Sequence, residues 1–178
     1  MLRLFVGIGF PPELKLRLSL LQTRLPGARW LDAGNLHLTL RFIGEVDESE
    51  AADIDAALAR VKARRFTLQL AGTGTFGHGK LRTLWVGVER EPTLSTLRDR
   101  IEQALIRTGV PPEPRKFTPH VTLARLQNPT VPDLLAFLAA HAGFRAAPFP
   151  VEHFSLIASF PTKAGSVYED QADYPLSG

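Results

Sequence analysis

The chain contains no cysteine among its 178 residues. This absence excludes disulfide bonds, catalysis by a thiolate and zinc sites with cysteine ligands. Long apolar runs are also missing: the N-terminal run at residues 4–8 is too short to span a membrane and lacks the pattern of a secretory signal. No Pro-, Gly- or Ser-rich linker divides the sequence into independent parts. We therefore expect one domain in a soluble, cytoplasmic protein that has no membrane partner.

Lysine is scarce, because 16 of the 21 basic residues are arginine, and the formal net charge is only +3. The planar guanidinium of arginine matches phosphate oxygens better than the point charge of lysine. A compositional bias of the genome, visible also in the abundant alanine and leucine, accounts for most of these arginines. The modest positive charge fits binding of a nucleic-acid end better than wrapping of a duplex.

Two near-identical tetrapeptides stand out, HLTL at residues 37–40 and HVTL at residues 120–123. Side chains alternate between the two faces of a strand, so the histidine and threonine of each motif point the same way. Two such strands facing each other would surround a small anion with two groups that titrate near neutrality and two hydroxyl donors. The pair therefore predicts acid–base chemistry on a phosphate ester. A single copy would be better explained as an ordinary half-buried strand.

The sequence around the two motifs repeats in the same order, with an offset of 83 residues between the histidines (120 − 37). Each motif follows an apolar strand and a proline-initiated helix, and each precedes a second helix and another strand. Phe66 and Phe149 both lie 29 residues after their histidine (66 − 37 and 149 − 120). This pattern predicts an internal duplication within a single domain, residues 1–178. A pseudo-twofold arrangement would place His37 and His120 across a shared cleft.

Periodicity and capping signals predict an α+β protein whose helices cover the faces of its sheets. Helices are expected to begin at Pro11, at a capping box on Asp47, at Pro92 and at Thr130. The last helix is expected to bury Leu134, Leu135, Phe137 and Leu138. Strands are expected at residues 2–8, 37–43, 66–70, 81–88, 151–160 and 166–174. The connection between the strands at 66–70 and 81–88 is rich in glycine.

That connection contains GTFGHGK at residues 74–80, which matches the first seven positions of a phosphate-binding P-loop. The eighth position is Leu81, which lacks the hydroxyl that would hold magnesium, and a strand-like run follows where a P-loop needs a helix N-terminus. We therefore predict a hairpin loop with glycines at positive φ and an exposed His78. A metal held by His37 and His120 is not expected, because a catalytic zinc site usually has a third protein ligand.

The chain resembles the two-histidine phosphoesterases with paired H-x-T-x motifs, and within them the bacterial and archaeal RNA 2′,3′-cyclic phosphodiesterases, also called 2′-5′ RNA ligases. The matching segments are RLFV at residues 3–6, HLTLRFIG at 37–44, RTLW at 82–85, FTPHVTLAR at 117–125 and YE at 168–169. One departure is Gly9 at the end of the first strand, where the family commonly carries an acidic residue.

The resemblance implies two pseudo-symmetric lobes, each an antiparallel sheet with helices on its outer face, that enclose a central cleft. It also implies hydrolysis of a terminal 2′,3′-cyclic phosphate of RNA to a 2′-phosphate without metal or cofactor, and the reverse 2′-5′ ligation. His37 matches the proton donor and His120 the proton acceptor. Thr39 and Thr122 match the phosphate ligands, and Arg125 matches a basic position near the phosphate. The expected partner is RNA with a 2′,3′-cyclic end, and the expected state is a monomer.

Two other functions stay open at this point. A non-catalytic module that binds RNA ends or nucleotides would use the same cleft, and it would bind without turnover. A sister phosphodiesterase could act on small cyclic nucleotides, because the H-x-T pair recognises the phosphate and not the base. Phe5, Phe42 or Phe76 could offer a stacking face to a base, or could belong to the core.

Overall fold

The computed structural model describes residues 1–178 and shows ten strands, four α-helices and one short 3-10 turn. The strands are β1 Leu2–Ile8, β2 Ala28–Trp30, β3 Leu38–Val46, β4 Phe66–Leu68, β5 Leu70–His78, β6 Leu81–Val88, β7 His120–Gln127, β8 Phe149–Val151, β9 His153–Thr162 and β10 Gly165–Pro175. The helices are α1 Pro12–Ser19, α2 Glu48–Leu58, α3 Pro92–Arg107 and α4 Val131–Ala140, and the 3-10 turn is Ala33–Asn35.

Two four-stranded antiparallel sheets form the framework. The first sheet has the order β10-β9-β1-β3, and the second has the order β2-β7-β6-β5. The strands β3 and β7, which carry the two H-x-T motifs, approach each other across the sheets to within 8 Å between Cα atoms. The predicted α+β class with two antiparallel sheets is confirmed, and both motif strands lie where the sheets meet.

The sheets do not follow the two halves of the sequence. Strands β9 and β10 from the end of the chain complete the first sheet, whereas β2 and β5 from the first half flank the second. Strands β4 and β8 pair with each other, with Phe66 opposite Val151 and Leu68 opposite Phe149. The 83-residue offset relates residue 66 to residue 149 and residue 68 to residue 151 (66 + 83 = 149 and 68 + 83 = 151). Each of the two residue pairs therefore corresponds to the other one. This symmetry agrees with the internal duplication of a single domain, which stays a prediction.

The helix boundaries follow the capping signals. Asp47 accepts a hydrogen bond from the backbone N–H of Glu50 at 2.8 Å, and the Glu50 carboxylate accepts one from the N–H of Asp47 at 2.8 Å. Thr130 caps α4 by accepting from the N–H of Asp133. One expectation for α4 is wrong: Leu135 is 59% exposed, because this short helix buries only the narrow face formed by Leu134 and Phe137.

Several strand predictions need correction. Strand β3 continues to Val46 instead of ending at Gly44, whose φ of +98° lets the chain bend within the ladder. The predicted strand at 66–70 is divided between β4 and β5, and β9 begins at His153 after a separate β8.

The glycine-rich connection is mostly strand and not loop. Residues 70–78 form β5, and the hairpin turn to β6 is confined to Gly79 and Lys80. Gly74 lies opposite Trp85, and a Cβ added at Gly74 would come within 2.3 Å of the indole ring. Glycine is needed there for the close approach of the indole. His78 is exposed, as predicted, and the strand after Lys80 excludes a P-loop.

A single cluster of 37 buried hydrophobic side chains includes residues from both sheets and from all four α-helices. This shared core joins the two sheets into one structural unit. No helix is long and apolar enough to cross a membrane.

Candidate active site

Strand β7 carries a β-bulge just after its H-x-T motif. Its register with β6 shifts there and leaves Leu123 as the extra residue. Leu123 and Ala124 are both buried, whereas Arg125 is exposed. Because the bulge moves the alternation by one residue, Arg125 shares the open face with His120 and Thr122. Regular alternation would have given that face to residue 124.

Strand β3 carries the same bulge at the same place. Its register with β1 shifts after Thr39 and leaves Leu40 as the extra residue. Leu40 and Arg41 are both buried, whereas Phe42 is 48% exposed. Phe42 therefore holds in the first sheet the place that Arg125 holds in the second (42 + 83 = 125). The two motifs share a backbone shape and differ in the side chain that follows it.

His37 lies just before β3 and is half-buried between two aromatic rings. Its ring centroid is 6.2 Å from that of Phe5 and 5.9 Å from that of Tyr168. Its Nδ1 atom is buried and has no hydrogen bond of normal geometry. The Nδ1 side of the ring is therefore closed to solvent.

This environment shifts the titration of His37. Burial of the ring lowers the pKa of His37 below its ordinary value of 6.5, and the nearby charge of Lys15 adds to this effect. The backbone at Asn35 and the carboxylate of Asp170 raise the pKa in part. In the unliganded protein the neutral imidazole is therefore favoured more than in an exposed histidine.

His120 has a different setting at the start of β7. Its Nδ1 lies 2.8 Å from the carbonyl oxygen of Thr118. When Nδ1 carries the proton it donates this hydrogen bond, and Nε2 keeps a free lone pair. The ring also packs edge-to-face on Phe76, with centroids 4.8 Å apart. The carbonyl of Thr118 thus favours the tautomer that can accept a proton at Nε2.

Two cavities adjoin these residues. The cavity beside His37 has a volume of about 410 Å³ and is also lined by Lys15, His153 and Asp170. It includes Gly9, where an added Cβ would meet no atom within 4 Å, so the cavity has room for a side chain at this position.

The second cavity has a volume of about 260 Å³ and lies between the sheets. It is lined by Arg29 and Arg125 of the second sheet and by Ser166 and Tyr168 of the first. Since Tyr168 also contacts His37, this cavity joins the surroundings of the first motif to the open face of the second. Another cavity, of about 610 Å³, is lined by residues of α3 and of the segment after α2, and it includes no motif residue.

The structure therefore places four of the five predicted site residues on strands β3 and β7, and the fifth, His37, directly before β3. His120, Thr122 and Arg125 share one face of β7, Thr39 is exposed on β3, and His37 immediately precedes β3. The side chains of Thr39, Thr122 and Arg125 make no hydrogen bond or ion pair within the protein, so each is free to bind a ligand. No group of three or more His, Cys, Asp or Glu side chains is arranged to hold a metal ion. Convergence of both imidazoles on one phosphate stays a prediction.

Two residues of the site were missed from the sequence. Arg29 lies in the three-residue β2, which has no recognisable strand pattern. Tyr168 belongs to a matching segment, but only the pairing of β10 with β9 beside β1 brings its ring to His37. The resemblance alone could have drawn attention to Tyr168, whereas no local signal singles out Arg29.

Two sheets that meet at a pair of H-x-T strands are typical of the two-histidine phosphoesterases. A model of the 2′-5′ RNA ligase superfamily matches residues 10–159. The chain is 36% identical to an RNA 2′,3′-cyclic phosphodiesterase of Aeropyrum pernix, over 87% of this chain and 89% of that one. It is 35% identical to a protein of the same name from Thermus thermophilus, over 99% of this chain and 91% of that one.

A crystal structure of E. coli LigT in its apo form has the same fold, with a TM-score of 0.82 and 26% identity over 99% of this chain and 98% of that one. The chain therefore belongs to the 2′-5′ RNA ligase superfamily. The prediction that the chain belongs to this family and the prediction that it is an enzyme are both confirmed.

Proposed function

We propose that this protein is a metal-independent RNA 2′,3′-cyclic phosphodiesterase that converts the cyclic end to a 2′-phosphate. The observation that carries the proposal is the approach of β3 and β7 to within 8 Å between Cα atoms, with the same bulge after each H-x-T motif. This arrangement supports a site in which both motifs serve one phosphate. The relatives from Aeropyrum pernix and Thermus thermophilus are named for the same activity.

In the proposed reaction, Nε2 of His120 takes a proton from a water molecule as the water oxygen attacks phosphorus. Protonated His37 gives its proton to the 3′ oxygen as the bond between phosphorus and that oxygen breaks. Water is thereby added across one P–O bond, which leaves a 2′-phosphate and a 3′ hydroxyl. The hydrogen bond of His120 to the Thr118 carbonyl supports the acceptor role, because it leaves Nε2 unprotonated.

The donor role of His37 requires a protonated ring, which burial disfavours in the unliganded protein. A phosphate anion beside the ring favours the charged form and so raises the pKa. Substrate binding and proton uptake by His37 are therefore coupled in this mechanism. The hydroxyls of Thr39 and Thr122 and the guanidinium of Arg125 would stabilise the negative charge that grows on the phosphate oxygens.

The same groups can open the cyclic phosphate with a 5′ hydroxyl of RNA in place of water: His120 takes the proton of that hydroxyl, His37 protonates the departing 3′ oxygen, and a 2′-5′ link forms. The high concentration of water favours hydrolysis. A second candidate function is nucleotide binding without turnover, because E. coli LigT, 26% identical to this chain, has also been crystallised with NADP⁺.

The test is incubation with a short RNA that ends in a 2′,3′-cyclic phosphate, in the presence of EDTA, followed by identification of the phosphate isomer. We expect a 2′-phosphate, and we expect His37→Ala and His120→Ala to lower kcat by roughly 10²–10⁴-fold each, the usual contribution of a general acid or base. The matched control is His78→Ala, which removes an exposed imidazole that lines neither of the two cavities beside the motifs.

Full activity in either motif variant would contradict the paired-histidine mechanism. Loss of activity with EDTA would contradict metal independence. Tight binding of the RNA by the wild-type protein with no product would favour the binding module instead. Thermal unfolding of each variant shows whether a loss of rate comes from a loss of fold.

A further inference from the structure

Two arginines lie directly opposite each other on the second sheet. Arg29 of β2 pairs with Arg125 of β7, and both side chains are exposed. Neither guanidinium makes an ion pair. Carboxylate partners are found for only five arginines of the chain, Arg3, Arg41, Arg98, Arg115 and Arg145, so what sets this pair apart is its position directly across the ladder. Like charges directly across a ladder destabilise a sheet. An anion held between them would remove this repulsion.

The cavity lined by both arginines has a fixed wall on the opposite side. Asn35 donates a hydrogen bond to the carbonyl oxygen of Ser166 at 2.6 Å and accepts one from the N–H of Tyr168 at 3.3 Å. These bonds hold the first sheet against the 3-10 turn. Asp32 is the one acidic residue of the lining, and it is not paired with either arginine. The cavity therefore offers two unpaired positive charges within a defined shape.

The position of the cavity relates it to the proposed reaction centre. Tyr168 lines the cavity and contacts the His37 ring, and Arg125 lines it and shares a face with His120. The cavity thus adjoins the proposed reaction centre, and none of its lining residues belongs to either H-x-T motif. Its volume of about 260 Å³ lies below the roughly 300–1,000 Å³ of pockets that enclose a whole small molecule. This size suits a phosphate group better than a complete nucleotide.

We propose that Arg29, together with Arg125, binds a second phosphate of the substrate, the one attached to the 5′ oxygen of the terminal cyclic nucleoside. The inference rests on the proposed function and adds a selectivity for RNA ends over cyclic nucleosides that lack a 5′-phosphate. Arg125 has five N–H donors, enough to reach both phosphates. Arg29, on the far side of β7 from β6, serves the second phosphate alone.

The test compares two substrates, a nucleoside 2′,3′-cyclic phosphate with a 5′ hydroxyl and the same compound with a 5′-phosphate. For the wild-type protein we expect kcat/KM to favour the 5′-phosphorylated compound by about 10- to 100-fold, as charge-assisted hydrogen bonds typically provide. Arg29→Gln should lower this ratio by about tenfold, with Arg125 accounting for any preference that is left, and Arg29→Lys should recover part of this loss. The matched control is Arg24→Gln, an exposed arginine outside the cavity, which should keep the wild-type ratio.

The outcomes separate the inference from the proposed function. A wild-type ratio near one, or an unchanged ratio in Arg29→Gln, would overturn the second phosphate site while leaving the phosphodiesterase intact. Hydrolysis of neither compound, together with no hydrolysis of the short RNA with a cyclic end, would contradict the proposed function. In that case calorimetry with a nucleoside 2′-phosphate and the 2′,5′-bisphosphate decides the inference: Arg29→Gln should weaken binding of the bisphosphate by about tenfold or more, and equal Kd values would refute it.

Discussion

A buried ion-pair network lies behind the first motif strand. Glu102 of α3 is 7% exposed and accepts hydrogen bonds from Arg41 at 3.0 and 3.1 Å, and it pairs with Arg98 at 3.0 Å. Arg41 also donates to the carbonyl oxygens of Phe42 and Pro111. Glu102 thereby connects the bulge of β3 to α3 and to the loop that leads toward β7. We expect its replacement by glutamine to be strongly destabilising.

The magnitude follows from burial. Glu102→Gln keeps the shape of the side chain, leaves the buried guanidinium of Arg41 without a carboxylate, and leaves Arg98 with only Asp99 at 4.0 Å. Removing one partner of a buried pair costs about 3–5 kcal/mol, a large part of the roughly 5–15 kcal/mol by which domains are stable. At this chain length each 1 kcal/mol lowers Tm by about 2–4 °C, so we expect a fall of roughly 6–20 °C.

Urea and thermal unfolding followed by circular dichroism measure this loss. The matched control is Glu45→Gln, which breaks an ion pair of β3 with Arg3 at 3.6 Å whose side chains are 60% and 56% exposed. An exposed pair of this kind contributes at most about 1 kcal/mol. Both variants remove one negative charge, so the difference between them isolates burial. If Glu102→Gln lost no more stability than Glu45→Gln, the reasoning on this network would be refuted.

Two further predictions concern the site. In the proposed mechanism His37 must be protonated to donate a proton. The pH profile of kcat/KM reports the free enzyme, in which the pKa of His37 is lowered, whereas the profile of kcat reports the complex, in which bound phosphate raises that pKa. As the pH rises, we therefore expect kcat/KM to fall at a lower pH than kcat. Rates measured from about pH 4 to 9 test this around the ordinary histidine value, and coincident limbs would contradict it. Gly74→Ala should cost about 1–3 kcal/mol by overpacking and shift the fluorescence of Trp85, since the new Cβ would lie 2.3 Å from the indole. Gly34→Ala, with no atom within 4 Å of the new Cβ, is its control, and unchanged emission in Gly74→Ala would argue against the close packing.

The parts of this fold that could be predicted are those coded by local sequence. The capping box of Asp47 and Glu50 and the cap at Thr130 are contained within four residues each, so they need no tertiary information. The paired H-x-T segments were recognisable because they repeat with their surroundings. The residues of the site on β3 and β7 follow from these motifs.

The parts that could not be predicted depend on partner strands. The bulges at Leu40 and Leu123 arise from the register with β1 and β6, which no single strand encodes. Strand β5 is rich in glycine, a poor strand former, and its pairing is favoured by the packing of Trp85 over Gly74. The apolar pattern of α4 predicted that Leu135 is buried, but the burial of a helix residue depends on which part of the helix the rest of the fold covers.

Matching motifs do not make a symmetric site. At the position after the bulge the first sheet presents Phe42, which stacks parallel to Phe5 with an angle of 3° between the rings, and the second presents Arg125 opposite Arg29. An aromatic face suits a base, whereas a guanidinium suits a phosphate. A nucleotide that entered with its ends exchanged would set its charge against the rings and its base against the arginines. The two orientations would therefore differ in energy although both strands carry the same bulge, and such a difference would let two histidines that are equivalent in sequence take the separate acid and base roles proposed for them.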